Sequence, residues 1–439
     1  MRIESVIFKD FAPFADTQLT FPEPKAPGGD VHLFAGENGT GKTRMLTLLA
    51  AVCGNPGELK ERTDQSSRFK AAVSARMLDL TKLFRCIDSN PQVFYFTGQL
   101  ELTEGYLDGP FRGKLDKNGR VIEPSFDAGA NMWQKGISAC LAFRGMATVK
   151  DSNVEALKPV QLGNREVHLV FEHNRTDEDA IIGQSMTNIK MQAAMEPQNG
   201  ASEKKKYTRM ATRIEEAVSR VTGRSFSFAV TPYPQVSLVV DWGGVTMRLK
   251  LLPDGLRSII GWMVACAAKI DAFYPDHPDP LTIPTILLLD EPESHLHPAW
   301  QRKIIPAAQA LLPNCQIFAA THSPFLISSV NAGYIHVFRS GADGVVTIDP
   351  PRECSPGDTY LDVVEDILGV KEWYDPETER ELGDFRVMMD QAVAGQWEHE
   401  PALREKARRI AERSESLNEM MGREMHQFET LKAQAQATR

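Results

Sequence analysis

A glycine-rich segment near the amino terminus constrains the fold more than any other part of the sequence. It lies between the apolar run 31–35 and the helix-like run 44–51, and it consists of Gly36, Glu37, Asn38, Gly39, Thr40, Gly41, Lys42 and Thr43. Glycines in such a turn let backbone N–H groups converge on phosphate oxygens, and the following helix adds its positive dipole end. The segment therefore predicts a nucleoside triphosphate site in which Lys42 contacts the β- and γ-phosphates and Thr43 binds Mg²⁺.

A second segment, far along the chain, supplies two adjacent acids. The apolar run 285–289 is followed directly by Asp290 and Glu291. Such a run fits a parallel strand that is buried on both faces, and it places the two carboxylates at the carboxyl end of that strand. We expect Asp290 to hold Mg²⁺, directly or through water, and Glu291 to orient and deprotonate an attacking water.

Two further segments flank these acids. A turn at 252–258 opens the apolar helix-like run 259–266, and the strand-like run 316–319 is soon followed by His322. The order of phosphate loop, signature turn, acidic strand end and histidine resembles the ABC-type ATPases, in particular the soluble branch near chromosome-maintenance and RecF-like proteins. The resemblance implies an α/β P-loop NTPase fold, an ABC-type ATPase head with an antiparallel β lobe, a short helical insertion and an α-helical C-terminal region.

The same resemblance implies a composite site. In that class two nucleotide domains meet head to tail, so that ATP lies between one phosphate loop and the signature helix of the partner. Asp254 and Gly255 would then contact the nucleotide of the second copy, and His322 would sense the γ-phosphate. The usual signature serine is replaced here by Pro253, which is tolerated in a first helical turn but has no hydroxyl to donate.

A closer resemblance follows the acids. The segment 293–302 contains His295-Leu296-His297-Pro298 followed by Trp300 and Gln301, and it is similar to a bacterial group of ATP-binding proteins. That group resembles the OLD-like ATPases and includes the ATPase subunits of Septu-type and retron-associated antiphage systems. The likeness covers roughly residues 1–375. In the Septu-like group the partner is an HNH endonuclease, so the resemblance implies a separately encoded nuclease.

The paired histidines leave a second interpretation open, because histidine pairs are common metal ligands. His295 and His297 are only two residues apart and no third ligand cluster accompanies them, so we favour a loop near ATP at the dimer interface. ABC-type sites also use a glutamine near Mg²⁺, for which Gln92, Gln99 and Gln134 are candidates that the sequence does not rank.

Composition bears on whether the protein binds nucleic acid and on its cellular location. The net charge of −9 disfavours strong nonspecific nucleic-acid binding, although the basic cluster 204–213 keeps a nucleic-acid contact open as an alternative to a solvated helix face. Six scattered cysteines form no zinc or disulfide pattern, and no apolar run is long enough to span a membrane. These features predict a cytoplasmic protein.

The rest of the chain suggests its organisation. We expect an ATPase domain at 1–350, a helical hairpin inserted within it at 174–224, and a C-terminal helical region at 355–439. Residues 402–432 read as one long charged helix with an apolar side, which would need another subunit or an effector to cover it. Residues 355–439 are too few for the Toprim-type nuclease domain of OLD-type relatives and lack its Asp-x-Asp cluster.

The leading hypothesis is an ATP-hydrolysing, Mg²⁺-dependent subunit of a bacterial antiphage system. It would form a homodimer or a higher homo-oligomer through ATP and would sense or regulate a nuclease. The first alternative is a DNA repair or recombination ATPase similar to RecF and SMC proteins, which a basic face across the dimer would favour. The second is the nucleotide subunit of a transporter, which the long segment between the phosphate loop and the signature turn disfavours.

Overall fold

The computed structural model of the chain describes residues 2–25, 30–53, 70–76, 82–88, 93–97, 140–144, 168–170, 176–197, 205–231, 237–355, 357, 359–370, 372–394 and 399–437. Internal contacts divide the chain into two compact units, Met1–Leu368 and Gly369–Arg439. Among the described residues no helix combines the length and the apolar character that crossing a membrane requires.

A mostly parallel sheet forms the centre of the first unit. In spatial order its strands are β15 (Val346–Ile348), β14 (Tyr334–Ser340), β3 (Val31–Gly36), β13 (Cys315–Thr321), β12 (Thr285–Asp290), β7 (Cys140–Arg144) and β8 (His168–Val170), and β16 (Arg352–Glu353) pairs with β14. Pairing is parallel from β14 to β8, whereas β15 and β16 run antiparallel to β14. Every residue of β3 and β12 is buried, which explains why both read as unbroken apolar runs.

The register of this sheet positions the predicted site. Asp290 at the end of β12 pairs with Ala320 of β13, and Thr321 of β13 pairs with Ala35 of β3. Because the three strands are parallel, their carboxyl ends lie at one edge. The phosphate loop, the two acids and the segment containing His322 therefore all begin at that edge.

The predicted antiparallel lobe is present. In spatial order its strands are β2 (Thr17–Thr20), β1 (Arg2–Lys9), β4 (Lys70–Arg76), β5 (Lys82–Asp88) and β6 (Val93–Thr97). A second core cluster joins this lobe to the first helix, α1 (Lys42–Cys53), through residues such as Phe8, Phe11, Phe14 and Leu46. The candidate glutamines Gln92, Gln99 and Gln134 lie outside the described residues.

Helices cover the other face of the parallel sheet. The predicted hairpin corresponds to α2 (Thr176–Met195) and α3 (Lys206–Thr222), which pack through Met186, Ile189, Met210 and Ile214 in the main core cluster. Gly223 ends α3 with a φ of 71°, in the left-handed conformation that glycine commonly adopts after a helix. A small antiparallel sheet of β9 (Phe226–Thr231), β10 (Ser237–Trp242) and β11 (Val245–Arg248) follows.

The remaining elements of the first unit are short, apart from the 20-residue helix that begins at Asp254. They are a 3₁₀ turn at Leu249–Leu251, α4 (Asp254–Phe273), a 3₁₀ turn at Pro280–Thr282, α5 (Pro298–Gln301), α6 (Ile304–Leu311), α7 (Pro324–Ile327) and α8 (Tyr360–Asp362), which continues into a π-helical turn at Val363–Ile367. The helix α4 is buried along most of its length, including Trp262 at 2% exposure. It begins at the signature turn, as the sequence predicts.

The basic cluster on α3 is paired within the chain. Arg213 makes two hydrogen bonds to Asp279, at 3.0 and 2.9 Å, and Arg209 approaches the same carboxylate. Lys206 forms an ion pair with Asp271 on α4. Lys206, Arg209 and Arg213 therefore already have carboxylate partners within the chain.

The second unit corrects one prediction. Residues 402–432 form two helices, α10 (Glu400–Ala411) and α11 (Glu415–Ala437), that pack with α9 (Pro376–Val393). The break comes at Ser414, whose hydroxyl accepts from the backbone N–H of Leu417 and so begins α11. The apolar side predicted to need another protein is instead buried in the core of this unit, with members that include Leu403, Ile410 and Phe428.

Candidate nucleotide-binding site

The phosphate loop follows β3 and is shaped by close packing at two glycines. A Cβ on Gly36 would lie 2.3 Å from the backbone oxygen of Phe338, and a Cβ on Gly41 would lie 2.7 Å from the ring of Phe14. Gly36 and Gly41 also have φ values of 147° and 83°. The loop conformation therefore requires glycine at both positions, for steric reasons as well as for backbone freedom.

Lys42 is almost fully buried at the start of α1, at 5% exposure. Its Nζ donates to the backbone oxygens of Gly36 and Glu37, at 2.9 and 2.7 Å, and lies 3.4 Å from the hydroxyl of Thr40. Burial lowers the pKa of Lys42 to about 8, although Glu291 and Asp290 oppose the shift. A cation held in this way by loop carbonyls favours an anion that enters the loop.

Thr43 and Asp290 meet although they come from different segments. The Thr43 hydroxyl donates to Oδ1 of Asp290 at 2.8 Å, and Asp290 is 2% exposed. A hydroxyl and a carboxylate are the oxygen ligands that Mg²⁺ uses beside phosphate. The donor atoms at this position therefore fit a magnesium ion.

Glu291 lies at the rim with a strained backbone. Its φ is 49°, in the left-handed region that residues other than glycine adopt infrequently, and its N–H donates to the backbone oxygen of Ala320 at 2.9 Å. Its side chain is half exposed, and Ser294 donates to Oε2 at 3.3 Å. The turn after β12 thus directs this carboxylate outwards while Asp290 stays buried.

His322 follows β13 and completes the same edge. Its Nε2 lies 3.7 Å from Oε1 of Glu291, which is too long for a direct hydrogen bond. Burial and the nearby charge of Lys42 lower the pKa of His322, and Glu291 and a hydrogen bond with the Gly36 backbone only partly oppose them. The imidazole is therefore neutral at pH 7 and is able to donate one proton in a hydrogen bond.

Glu293 is a residue that the sequence interpretation missed. Its Oε1 accepts from the Thr321 hydroxyl and from the backbone N–H of His322, the latter at 3.1 Å. Burial raises the pKa of Glu293, and its Oε2 is buried without a hydrogen-bond partner among the described residues. This carboxyl ties the turn after β12 to the turn that carries His322. A second acid soon after the pair at 290–291 is the one signal that could have indicated it.

The structure brings most predicted site residues to one open cavity of about 430 Å³. The residues lining it are Asn38, Gly39, Gly41, Lys42, Thr43, Arg44, Asp290, Glu291, Ala320 and His322. Asp254 and Gly255 do not line it. They begin α4, where a Cβ on Gly255 would lie 2.8 Å from the backbone oxygen of His295 and the carboxylate of Asp254 pairs with Arg257.

The two histidines after the acids, His295 and His297, lie in a turn and at a helix cap. His297 caps α5, because its Nδ1 accepts from the backbone N–H of Ala299 at 3.2 Å. His295 has a φ of 61° in the turn against Gly255. Within the described residues no group of three histidine, cysteine or acidic side chains is arranged to hold a metal ion.

A known family matches part of the chain. The family described as "AAA domain, putative AbiEii toxin, Type IV TA system" matches residues 143–328, less than half of the chain. The matched range contains the signature turn, the acids at 290–291 and His322, whereas the phosphate loop precedes it.

Curated relatives match over short stretches. The retron Ec83 probable ATPase of Escherichia coli is 30% identical over 106 residues, which are 24% of this chain and 20% of that protein. The retron Vc95 probable ATPase of Vibrio cholerae serotype O1 biovar El Tor is 25% identical over 126 residues, 29% of this chain and 24% of that protein. The Septu protein PtuA of Bacillus thuringiensis is 31% identical over 109 residues, 24% of this chain and 28% of that protein.

Among solved structures, an SMC head bound to the C-terminal winged-helix domain of ScpA has a TM-score of 0.47 and 13% identity, covering 80% of this chain and 98% of that one. The SMC head domain from Thermotoga maritima has a TM-score of 0.43 and 13% identity, covering 80% of this chain and 99% of that one.

The chain spans about a fifth to just over a quarter of the length of the curated relatives it matches. The family match and the curated relatives confirm the resemblance to retron and Septu ATPases that the motifs indicated.

Proposed function

We propose that the chain binds ATP with Mg²⁺ in this cavity and hydrolyses it. The observation that carries the proposal is the contact between Thr43 and Asp290, with Lys42, Glu291 and His322 at the same sheet edge. The groups needed to bind a triphosphate, to hold its metal and to activate a water thus lie around one opening.

Each side chain then has a role. The loop N–H groups and Lys42 bind the β- and γ-phosphates, and Thr43 with Asp290 hold Mg²⁺, which neutralises charge on the phosphate oxygens. Glu291 accepts a proton from a water aligned with the γ-phosphorus. The oxygen of that water bonds to phosphorus as the bond to the ADP oxygen breaks. His322 is neutral and has one N–H, which would turn from the Gly36 backbone oxygen to donate to a γ-phosphate oxygen. Glu293 positions His322 by accepting from its backbone N–H.

We further propose that two copies share each nucleotide, in a homodimer or a higher homo-oligomer. The start of α4 offers the N-terminal end of a 20-residue helix, and the Asp254 side chain there is 76% exposed. Since neither Asp254 nor Gly255 lines the cavity of its own chain, a second copy is the partner to which they would present this helix end.

The relatives support a proposal for the biological setting. Similarity to two retron ATPases and to PtuA supports a cytoplasmic role in antiphage defence. In this proposal the ATP-joined assembly regulates a separately encoded nuclease of the HNH type. Two shared ATP sites would supply the several kcal/mol that a shift between restrained and released states requires.

A mass measurement tests the shared site. Glu291→Gln should retain ATP and accumulate the joined state, so light scattering after size-exclusion chromatography should show at least a doubled mass with ATP and Mg²⁺. Lys42→Ala should stay at the nucleotide-free mass under the same conditions. A Glu291→Gln protein that binds ATP and keeps its nucleotide-free mass would contradict the shared site.

A further inference from the structure

Arg44 directly follows the phosphate loop and is distinct from the residues proposed to bind the phosphates, the metal and the attacking water. It lines the cavity, and its guanidinium carbon lies 5.0 Å from the centre of the Phe11 ring. Phe11 in turn stacks on Phe14, with 5.6 Å between the ring centroids, and the Phe14 ring packs against Gly41. The planar guanidinium of Arg44 thus packs on the Phe11 ring beside the phosphate loop.

The guanidinium is not compensated in the usual way. Its Nε is buried and has no hydrogen-bond partner among the described residues, and burial lowers the pKa of Arg44. An arginine stays protonated in such a setting, and among the described residues no ion pair between Arg44 and a carboxylate is found, so its partly buried charge is left without that compensation. This is a poor arrangement for stability alone, and it favours a planar or anionic ligand.

The direction of the nucleotide follows from the ends of the cavity. Asp290, Glu291 and His322 line the part of the cavity where, in the proposed ATP site, the metal and the γ-phosphate would bind. Thr43 directs its hydroxyl towards Asp290, whereas Arg44 lies against Phe11 of the antiparallel lobe. A triphosphate that extends away from the acids therefore brings its nucleoside towards Arg44.

The aromatic rings themselves are closed to a base. Phe11 and Phe14 are 1% and 6% exposed, so a nucleobase has no free ring face to stack on. Arg44, in contrast, is only partly buried and lines the cavity. Guanidinium planes stack on aromatic rings from either face.

We propose that Arg44 is the base-contacting residue of this site, with the purine of ATP stacked on the guanidinium face opposite Phe11. The inference rests on the proposed ATP site and adds to it a determinant of nucleobase preference. Because a purine covers more of the guanidinium than a pyrimidine does, the site should bind ATP more tightly than CTP.

Binding measurements on the intact chain test it, with Mg²⁺ present and with ATP, CTP and inorganic tripolyphosphate as probes. Arg44→Ala should lower the affinity for ATP by about 10-fold, because one stacked base is lost. It should also reduce the difference in affinity between ATP and CTP. Tripolyphosphate binding should be unchanged, which also shows that the loop of the variant is folded. Arg44→Lys keeps the charge without the plane, so it should lose most of the same affinity.

Arg339→Ala provides the matched control, because Arg339 is 49% exposed and pairs with Asp349. If Arg44→Ala lowered the affinities for ATP and tripolyphosphate equally, Arg44 would contact the phosphates, and base stacking would be overturned. Unchanged ATP affinity would overturn it as well. Failure of the wild-type protein to bind ATP would instead overturn the proposed function, so the two failures are distinguishable.

Discussion

The hydroxyl of Thr43 donates to Oδ1 of Asp290 at 2.8 Å across a separation of 247 positions in the sequence. The contact exists because β3 and β12 are parallel strands on either side of β13, so that the loop after one and the acid ending the other share a sheet edge. The pairing of this hydroxyl with this carboxylate is therefore a consequence of strand order rather than of local sequence.

The buried ammonium of Lys42 makes ATP affinity dependent on pH. Its pKa is lowered to about 8, and a bound triphosphate raises it again, so binding takes up a proton above that pH. Affinity should be constant from pH 6.5 to 7.5 and should fall towards ~10-fold per pH unit well above pH 8. Titrations of ATP at saturating Mg²⁺ across this range measure the effect.

Lys42→Arg is the control for this pH effect, because a guanidinium stays protonated throughout the range. Its affinity should be lower than that of the wild type at pH 7 and nearly independent of pH. A wild-type profile that is flat to pH 9.5 would show that Lys42 does not govern binding.

Loss of Glu293 should impair turnover more than binding. Glu293→Ala leaves the Thr321 hydroxyl and the backbone N–H of His322 without their acceptor, at a cost of about 1–3 kcal/mol in the free energy of unfolding. We expect a fall in kcat of ~10-fold with little change in ATP affinity, measured by phosphate release and by calorimetry. Glu293→Gln keeps one acceptor oxygen and should be milder, and Glu353→Ala on the surface should behave as wild type. Unaltered kcat in Glu293→Ala would remove its positioning role.

The packing of Gly255 links the start of α4 to the turn after the acids. In Gly255→Ala the new methyl would lie 2.8 Å from both the His295 oxygen and Leu296 Cδ2, so backbone must move. We expect a loss of about 1–3 kcal/mol in the free energy of unfolding by thermal or denaturant titration, together with reduced ATPase activity. Gly422→Ala, in α11 with no neighbour within 4 Å, should instead stabilise by about 0.5–1 kcal/mol. Equal stability of the two variants would contradict this packing.

The sequence predicted those parts of the fold and site that strand ends determine. Lys42, Thr43, Asp290 and His322 were identifiable because each follows a buried apolar run, and parallel strands place such residues together. Glu293 was not, since an acid in a polar turn has the same local pattern whether it is solvated or buried. Its position became apparent only once β12 and β13 were adjacent.

The C-terminal unit shows a different limit. Leu403, Ile410 and Leu417 continue one helical period across the break, so periodicity alone predicts a single helix. Ser414 then begins a new helix, and the two halves bury the stripe against each other and against α9. The N-cap pattern of Ser414 followed by Glu415 was the available signal for the break.

The rate of ATP hydrolysis by the Glu291→Gln protein tests directly whether Glu291 is the general base. This substitution removes the carboxylate that accepts the proton of water while Lys42, Thr43 and Asp290 are left intact. We predict ATP affinity within about 3-fold of the wild type and a hydrolysis rate reduced by 10²-fold or more, roughly the contribution of a general base. A Glu291→Gln protein that hydrolyses ATP at the wild-type rate would contradict it.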